Sequence, residues 1–202
     1  MAFALVESGS IKSYPKGNKG ITIGDNQYPA TIFTLWTESE RNAIGVYTVE
    51  IDNTNLKDNE YYVNTDITYA FGSGKVTGSY GTATARPIAD TLFTQEDEDA
   101  GLGTKGDVSS KGLKTIKKEM LDRQCATILA PSDWRVTKEA ETGSAMDSGW
   151  KTWRASVRTK CNSMQTQIDN ASDVDALAAL FTYTEQEDKS ITRPLGEFPV
   201  KE

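Results

Sequence analysis

The chain has 202 residues and a formal net charge of −7, with 22 Lys and Arg against 29 Asp and Glu. This balance argues against a nucleic-acid partner, because such a protein needs a basic stripe to meet phosphates. Only 39 residues are Leu, Ile, Val or Phe, so we expect partners to supply part of the burial. Histidine is absent, which excludes Ser-His and Cys-His nucleophile pairs.

The first segment of the chain is predicted to form strands. Residues 3–6 and 11–14 flank Glu-Ser-Gly-Ser, and this arrangement predicts a β-hairpin. The segment lacks a basic region followed by a long apolar run, so no signal peptide is predicted. Nowhere does the chain approach the roughly 18 consecutive apolar residues of a membrane span, and we expect no membrane insertion.

Residues 1–93 as a whole are predicted to form an antiparallel β domain. Residues 30–36 are a mostly apolar and β-branched run within it, as is typical of strands. Thr37 and Glu40 then match the capping box of a short helix, which the glycine at Gly45 is expected to end.

The clearest predicted strand covers residues 61–71, where apolar and polar side chains alternate. This period of two places the odd-numbered side chains on one buried face. A Gly-Ser-Gly-Lys turn follows, and residues 76–86 are predicted to return as the antiparallel partner. Residues 94–112 are acidic and then rich in Gly, Ser and Thr, and they are predicted to form a linker.

Residues 113–181 change to a helical period and predict a helical hairpin with a short third helix. The first helix carries an apolar stripe and is expected to end before Pro131. The second helix has a seam with a residue every three or four positions: Trp150, Trp153, Val157, Cys161, Met164 and Ile168. Ser172 is the predicted N-cap of the third helix, and residues 182–202 are predicted to form an extended tail. The fold class is therefore α+β.

No catalytic, cofactor-binding or metal site is predicted. Cys125 and Cys161 lie on the apolar helical stripes, which favours buried thiols over redox or metal roles, although a disulfide across the hairpin stays open. The densest basic cluster is predicted to be the solvent face of the first helix and not a nucleic-acid patch. Its members are Lys111, Lys114, Lys117 and Lys118.

Tryptophans and arginines supply the candidate contact residues. Trp153 is predicted to anchor the core, whereas for Trp150 a core role and an interface role are equally open. Arg154 and Arg158 lie one helical turn apart and repel each other slightly, so each is expected to pair with a carboxylate of the preceding loop. The candidate carboxylates are Asp133, Glu139 and Glu141, and the candidate interface residues are Trp150, Trp36 and Phe198.

The segment that joins the helices resembles a known family. Ile-Leu-Ala-Pro-Ser-Asp-Trp over 128–134, Glu-Thr-Gly at 141–143, and Trp153-Arg154 followed by Val157-Arg158 are similar to the C-terminal region of phage tail-fibre assembly and tail-assembly-chaperone-like proteins. Trp153 replaces the Tyr that is usual there. The opening of the chain, with Phe-Ala-Leu-Val and later Tyr-Pro, is similar to small phage tail-associated proteins. Asp133, Trp134, Arg154 and Arg158 form the predicted lock of the hairpin.

The resemblance implies association with a bacteriophage tail. We expect a structural, non-enzymatic component of the distal tail, baseplate or fibre attachment, made in the host cytoplasm and located in the virion. The alternative is a tail-fibre assembly chaperone that the finished particle does not retain. The third hypothesis is an envelope-degrading enzyme. Such an enzyme would need a close pair of carboxylates in a cleft. The expected partners are other phage tail proteins and further copies of this chain in a symmetric assembly.

Overall fold

The computed structural model describes residues 2–201. The chain divides into two compact units, Met1–Thr84 and Ala85–Glu202. The first unit is built around strands in sheets, and the second is mainly helical. The predicted α+β class is therefore confirmed. Residues 94–112 and 182–202, predicted as a linker and an extended tail, both lie within the second unit.

The first unit contains eight strands and two short helices, with a ninth strand at its boundary. In chain order they are β1 (Phe3–Glu7), β2 (Ser10–Ser13), β3 (Ile21–Ile23), β4 (Asn26–Tyr28), α1 (Ile32–Leu35), α2 (Glu38–Ala43), β5 (Val46–Asp52), β6 (Tyr62–Val63), β7 (Ile67–Gly72), β8 (Lys75–Tyr80) and β9 (Thr84–Ala85). The predicted hairpin near the N-terminus is confirmed as β1 and β2.

Five of these strands form one sheet in the order β2-β1-β5-β8-β7. The prediction of a purely antiparallel domain is wrong in one pairing, because β5 and β8 run parallel. Residues 53–74, which include β6 and β7, lie between β5 and β8, and a connection of this length can return a strand in the same direction. The antiparallel pairing of β7 with β8 was predicted and is confirmed.

Strand β1 lies inside the sheet, between β2 and β5, is buried on both faces and divides the apolar side chains into two small cores. Phe3 and Leu5 pack with Ile32, Phe33 and Val46 on one face. Ala4 and Val6 pack with Val49 and Val76 on the other. Residues 30–36 therefore do not form the predicted strand. They supply the helical turn α1, because burying two adjacent side chains on the sheet outweighs their β propensity.

Helix α2 begins with the predicted capping box. The Thr37 N–H donates to Glu40 Oε2 at 2.7 Å, and the Glu40 N–H donates to Thr37 Oγ1 at 3.3 Å. The hydrogen bond from the Thr37 N–H lowers the pKa of Glu40. The helix ends at Ala43, and Gly45 follows at a φ of 82°. A Cβ at Gly45 would lie 2.5 Å from the carbonyl oxygen of Val6.

The strand predicted over residues 61–71 is broken into β6 and β7. Asn64 lies at the break, and its side chain accepts from Lys57 N at 2.9 Å and donates to Lys57 O at 2.7 Å. The Asn64 side chain is therefore hydrogen-bonded to the backbone of another segment, and this local contact competes with continuation of the strand. The predicted buried face is also incomplete, since Val63 and Tyr69 are exposed. Tyr69 contacts the ring of Tyr14 at 5.0 Å, so the two edges of the sheet approach each other.

The second unit begins with a small β pair and continues as helices. Its elements are β10 (Thr91–Leu92), α3 (Gln95–Asp99), β11 (Val108–Ser110), α4 (Leu113–Leu129), a 3-10 turn (Ala130–Ser132), α5 (Asp133–Thr142), α6 (Ser148–Asn170), α7 (Val174–Phe181), β12 (Thr184–Glu185) and β13 (Ile191–Thr192). Among the helices that residues 2–201 form, none is both long and apolar enough to cross a membrane.

The predicted linker over 94–112 has secondary structure of its own. Helix α3 has a capping box in which the Thr94 N–H donates to Asp97 Oδ2 at 2.8 Å. Phe93 packs over Gly103, where a Cβ would lie 2.4 Å from the ring. A helix cap and one aromatic contact thus order a segment whose composition indicated a linker.

Helices α4 and α6 form the predicted antiparallel pair. Their buried faces meet along the expected seam, which contains Leu121, Cys125 and Leu129 on α4 and Val157, Cys161, Met164 and Ile168 on α6. The prediction that all four lysines face solvent is wrong for Lys117, which is buried with its Nζ 4.4 Å from the centre of the Phe181 ring. Because an α-helix has 3.6 residues per turn, four closely spaced lysines cannot all lie on one face, and Lys117 faces the packed side.

Helix α7 and the tail complete this unit. Asp173 caps α7 by accepting from Ala176 N at 2.8 Å, so the prediction that Ser172 is the N-cap is wrong. Asp173 lies one residue nearer the first turn, where a carboxylate also complements the helix dipole. The tail forms the β12–β13 hairpin and then buries Leu195, whose N–H donates to Leu180 O at 3.1 Å. It is therefore packed and not simply extended.

The N-terminus of α4 depends on a carboxylate that precedes it in the chain. Asp90 Oδ1 accepts from Gly112 N at 2.7 Å, and Asp90 Oδ2 accepts from Thr115 Oγ1 at 3.0 Å. The hydrogen bond from the Gly112 N–H, followed by that from Thr115, lowers the pKa of Asp90. The contact joins the segment before α3 to the start of α4 and satisfies an N–H at the helix end.

We predict that Asp90→Ala lowers the free energy of unfolding near neutral pH, because the helix end loses its acceptor. Since the folded pKa is lowered, the contribution is present above the unfolded value of about 3.9. It is lost as the pH falls below that value. Urea unfolding at several pH values checks this, with Asp107→Ala as an exposed control. A difference from wild type that persists unchanged at acid pH would contradict it.

Candidate interaction site

The chain stays helical through Pro131, at the end of α4. The helix was predicted to stop there and a loop to follow, but a 3-10 turn leads directly into α5. Proline is tolerated in the first turn of a helix, where its missing N–H would have no helical partner. Asp133 and Trp134 therefore lie on a helix and not in the predicted loop. Gly143 ends α5 at a φ of 67°.

Arg154 is the buried cation at this junction. Its side chain comes from α6 and is only 6% exposed. Nη1 donates to the carbonyl oxygen of Leu129 at 3.0 Å and also to Ser132 Oγ, while Nη2 donates to Asp133 Oδ1 at 2.6 Å. The buried Ser132 hydroxyl donates to the same Leu129 carbonyl at 2.7 Å. One guanidinium thus binds the last carbonyl of α4 and the first residue of α5.

The predicted ion pair between Asp133 and Arg154 is confirmed. The prediction that Arg158 also has an acidic partner is wrong, because Arg158 is exposed and has no ion pair within residues 2–201. An exposed guanidinium can be satisfied by water, whereas a buried one needs protein acceptors. Arg158 therefore takes no part in the contacts at the helix junction.

The other predicted carboxylate, Glu139, connects α5 to α6 by a different pair. Lys151 Nζ lies 2.6 Å from Glu139 Oε1, and this hydrogen bond is the main cause of a lowered Glu139 pKa. Asp147 caps α6 by accepting from Gly149 N at 2.9 Å and from Trp150 N at 3.3 Å. These contacts fix the start of α6 beside α5. Glu141 is exposed.

Four side chains next to this junction form what we call the tryptophan–arginine cluster: Trp134, Arg135, Trp150 and Trp153. The Arg135 guanidinium carbon lies 4.6 Å from the centre of the Trp134 ring and 4.4 Å from that of Trp150. Trp150 and Trp153 meet edge to face at 5.5 Å. The cluster is thus a cation stacked on two indole rings, an arrangement that favours a fixed guanidinium.

The tail contacts two of the tryptophans of the cluster. Trp153 Nε1 donates to the carbonyl oxygen of Pro199 at 3.0 Å, and Lys201 Nζ lies 5.4 Å from the centre of the Trp150 ring. Trp153 is partly buried, as expected for an anchor, and Trp150 is partly buried as well. Trp134 remains 55% exposed. Arg135 and Lys201 were not predicted as site residues, because their contacts with the distant Trp150 ring leave no periodic pattern in the sequence.

The other predicted interface residues lie elsewhere. Trp36 belongs to the first unit, where it packs edge to face with Tyr28 at 5.9 Å as part of an apolar core. Phe198 lines an open cavity of about 520 Å³ in the second unit, together with Met120, Arg123, Ile128, Tyr183 and Arg193. Neither residue is part of the tryptophan–arginine cluster.

The two cysteines are buried free thiols on facing helices. Burial is the main cause that raises the pKa of Cys161 to about 11, and the neighbouring Cys125 thiol adds to it. A thiol with a raised pKa holds little thiolate near neutral pH, so it is a poor nucleophile and metal ligand. These residues support the packing of the hairpin.

Comparisons with protein-family models, with curated proteins and with solved structures find no match to this chain. The candidate site combines a buried arginine that fixes a helix junction with an exposed Trp and a stacked Arg beside it. That composition is typical of protein–protein contact surfaces.

We predict that Arg154→Met lowers the free energy of unfolding by about 2 kcal/mol or more, since it leaves the Leu129 carbonyl without this buried donor. The matched change Arg158→Met should stay within about 0.5 kcal/mol of wild type, because Arg158 is exposed and unpaired. Guanidinium unfolding of both variants tests the pair. Equal effects of the two substitutions would contradict the assignment.

Proposed function

We propose that this chain is a structural, non-enzymatic component of a bacteriophage tail, in the distal tail, baseplate or fibre-attachment region, and that it acts through protein–protein contacts. The proposal rests first on the sequence resemblance over residues 128–158. Those residues surround the helix junction, so the resemblance falls on the part of the second unit that presents the candidate interaction site.

The observation that carries the proposal is the exposed Trp134 beside the stacked Arg135. Trp134 is 55% exposed. Exposing so large an apolar side chain to water is unfavourable, and burial against a partner would remove that cost. The helix of Trp134 is held by Arg154 and by the Glu139–Lys151 pair. A rigid aromatic surface loses little conformational entropy when it binds, which is what a lasting contact in an assembly needs.

The composition is consistent with this role. The apolar content is low, the first unit divides its apolar side chains between two small cores, and exposed apolar side chains occur in both units. A chain that is built into a particle gains further burial from its neighbours. An isolated enzyme would need to complete its core alone.

The fibre-assembly chaperone is the second candidate, because the same sequence resemblance covers assembly factors as well as virion parts. The two roles differ in where the chain is at the end of assembly. A structural part stays in the particle in a fixed ratio to other tail proteins. A chaperone is released and stays in the lysate.

Quantitative mass spectrometry of purified virions tests the proposal. We expect this chain at a fixed molar ratio to other tail proteins, and we expect that ratio to persist through a second density gradient. Absence from purified particles, with the chain abundant in the lysate, would contradict the structural role and favour the chaperone. The control is a non-structural phage protein followed through the same purification.

A further inference from the structure

The stacked guanidinium of Arg135 has donors that this chain does not use. Within residues 2–201 it forms no ion pair and donates no hydrogen bond, whereas nearby Arg154 and Lys151 each pair with a carboxylate. The centres of the Trp134 and Trp150 rings lie 4.6 Å and 4.4 Å from the guanidinium carbon of Arg135. A guanidinium fixed by stacking binds a carboxylate with little loss of side-chain freedom.

Exposed apolar side chains occur on α5 and in the tail, the two segments that contribute to the cluster or contact it. Val136 is 44% exposed and Val200 is 85% exposed, in addition to Trp134. Trp and Arg together are the residue types most enriched at the energetic centres of protein interfaces. A partner of matching chemistry would bring carboxylates for Arg135 and apolar side chains for the surface around it.

The chain itself carries such a segment, at β10, α3 and β11. Glu96, Glu98 and Asp99 on α3 are exposed, and none has an ion pair within the part of the chain that the structure describes. Leu102 is 67% exposed, and Leu92 and Val108 are about half exposed. We call residues 91–110 the acidic excursion. It shows an uncompensated negative charge beside exposed apolar side chains.

The two surfaces lie at opposite ends of α4. The acidic excursion leads directly into the N-terminus of α4, where Asp90 binds Gly112. The cluster lies at the C-terminus of α4, where Arg154 binds the Leu129 carbonyl. Seventeen helical residues separate the ends, a length of about 25 Å at the helical rise per residue. Within one copy, α4 holds the two surfaces apart.

We propose that the tryptophan–arginine cluster of one copy binds the acidic excursion of a second copy, so that copies of this chain associate head to tail. Arg135 would receive a carboxylate of α3, and Trp134 and Val136 would cover Leu102 of the neighbouring copy. Because the two contacting surfaces differ, the interface is heterologous, and repetition closes into a ring or extends as a filament. The inference rests on the proposed function only in treating this end of the hairpin as a contact surface.

A second copy fits the cluster better than a polyanion does. A nucleic acid would need several unpaired cations in a row. Beside Arg135, Lys138 also lacks an ion pair within residues 2–201, but Arg154 and Lys151 are already paired with Asp133 and Glu139. Two neighbouring cations beside exposed apolar side chains match a short segment with a few carboxylates. The acidic excursion has that pattern.

Light scattering on the full chain after size-exclusion chromatography tests the inference. At an ionic strength of about 0.1 M, where charges interact over about 10 Å, we expect a mass above that of one chain. Arg135→Glu should weaken association by at least about tenfold, and Glu96→Lys with Glu98→Lys should do the same from the other surface. Arg158→Glu is the matched control, because Arg158 is exposed, unpaired and not stacked, and it should leave the mass unchanged.

Mixing the two blocked variants tests the head-to-tail geometry. The Arg135→Glu chain keeps its acidic excursion, and the Glu96→Lys, Glu98→Lys chain keeps its cluster. An equal mixture should therefore recover a mass above that of one chain, because the intact surfaces match and the reversed charges are complementary as well. Circular dichroism checks that each variant folds, and the lysine changes lie on exposed positions of α3. A wild-type chain that stays monomeric, or equal masses for the Arg135→Glu and Arg158→Glu variants, would overturn the inference. Either result leaves the virion measurement unaffected.

Discussion

The contact on which the second unit depends most is that of the buried Arg154 with the end of α4. A helix end leaves carbonyl groups without helical partners, and burying them requires a donor from elsewhere. Arg154 supplies that donor to Leu129 and at the same time binds Ser132 and Asp133. The interaction therefore does more than join two helices. It fixes where α5 begins, and so it sets the position of the tryptophan–arginine cluster.

The apolar seam of α4 and α6 has a different role. It holds two helices together, as any packed helical pair must, and its residues would serve many proteins equally well. What distinguishes this chain is how polar residues direct the ends of that pair. At the N-terminus of α4, Asp90 accepts a hydrogen bond from the Gly112 N–H. At its C-terminus, Arg154 donates one to the Leu129 carbonyl oxygen. The acidic excursion and the tryptophan–arginine cluster are thereby held at opposite ends of one rigid helix. That separation is the basis for the proposed head-to-tail contact.

Local features of the fold could be predicted from the sequence, and features set by distant contacts could not. The capping box of Thr37 and Glu40 and the apolar seam of α6 depend on residues a few positions apart, and both are confirmed. The parallel pairing of β5 with β8 depends on the path of a long connection, which leaves no pattern in either strand. Pro131 indicated a helix end, but at the first turn of a helix proline is compatible with continuation. At the candidate site the Asp133–Arg154 pair was predicted, whereas the stacking of Arg135 was not, because Trp150 is brought to it only by the tertiary fold.

Hydrogen exchange followed by mass spectrometry tests most directly whether Arg154 fixes the helix junction. In Arg154→Met, we expect the amides of α5 to lose protection while the buried half of α6, from Val157 to Ile168, keeps it, because the apolar seam is untouched. Arg158→Met should leave both segments as in wild type. Unchanged protection of α5 in Arg154→Met would contradict the account, since the position of the tryptophan–arginine cluster would then not depend on the buried arginine.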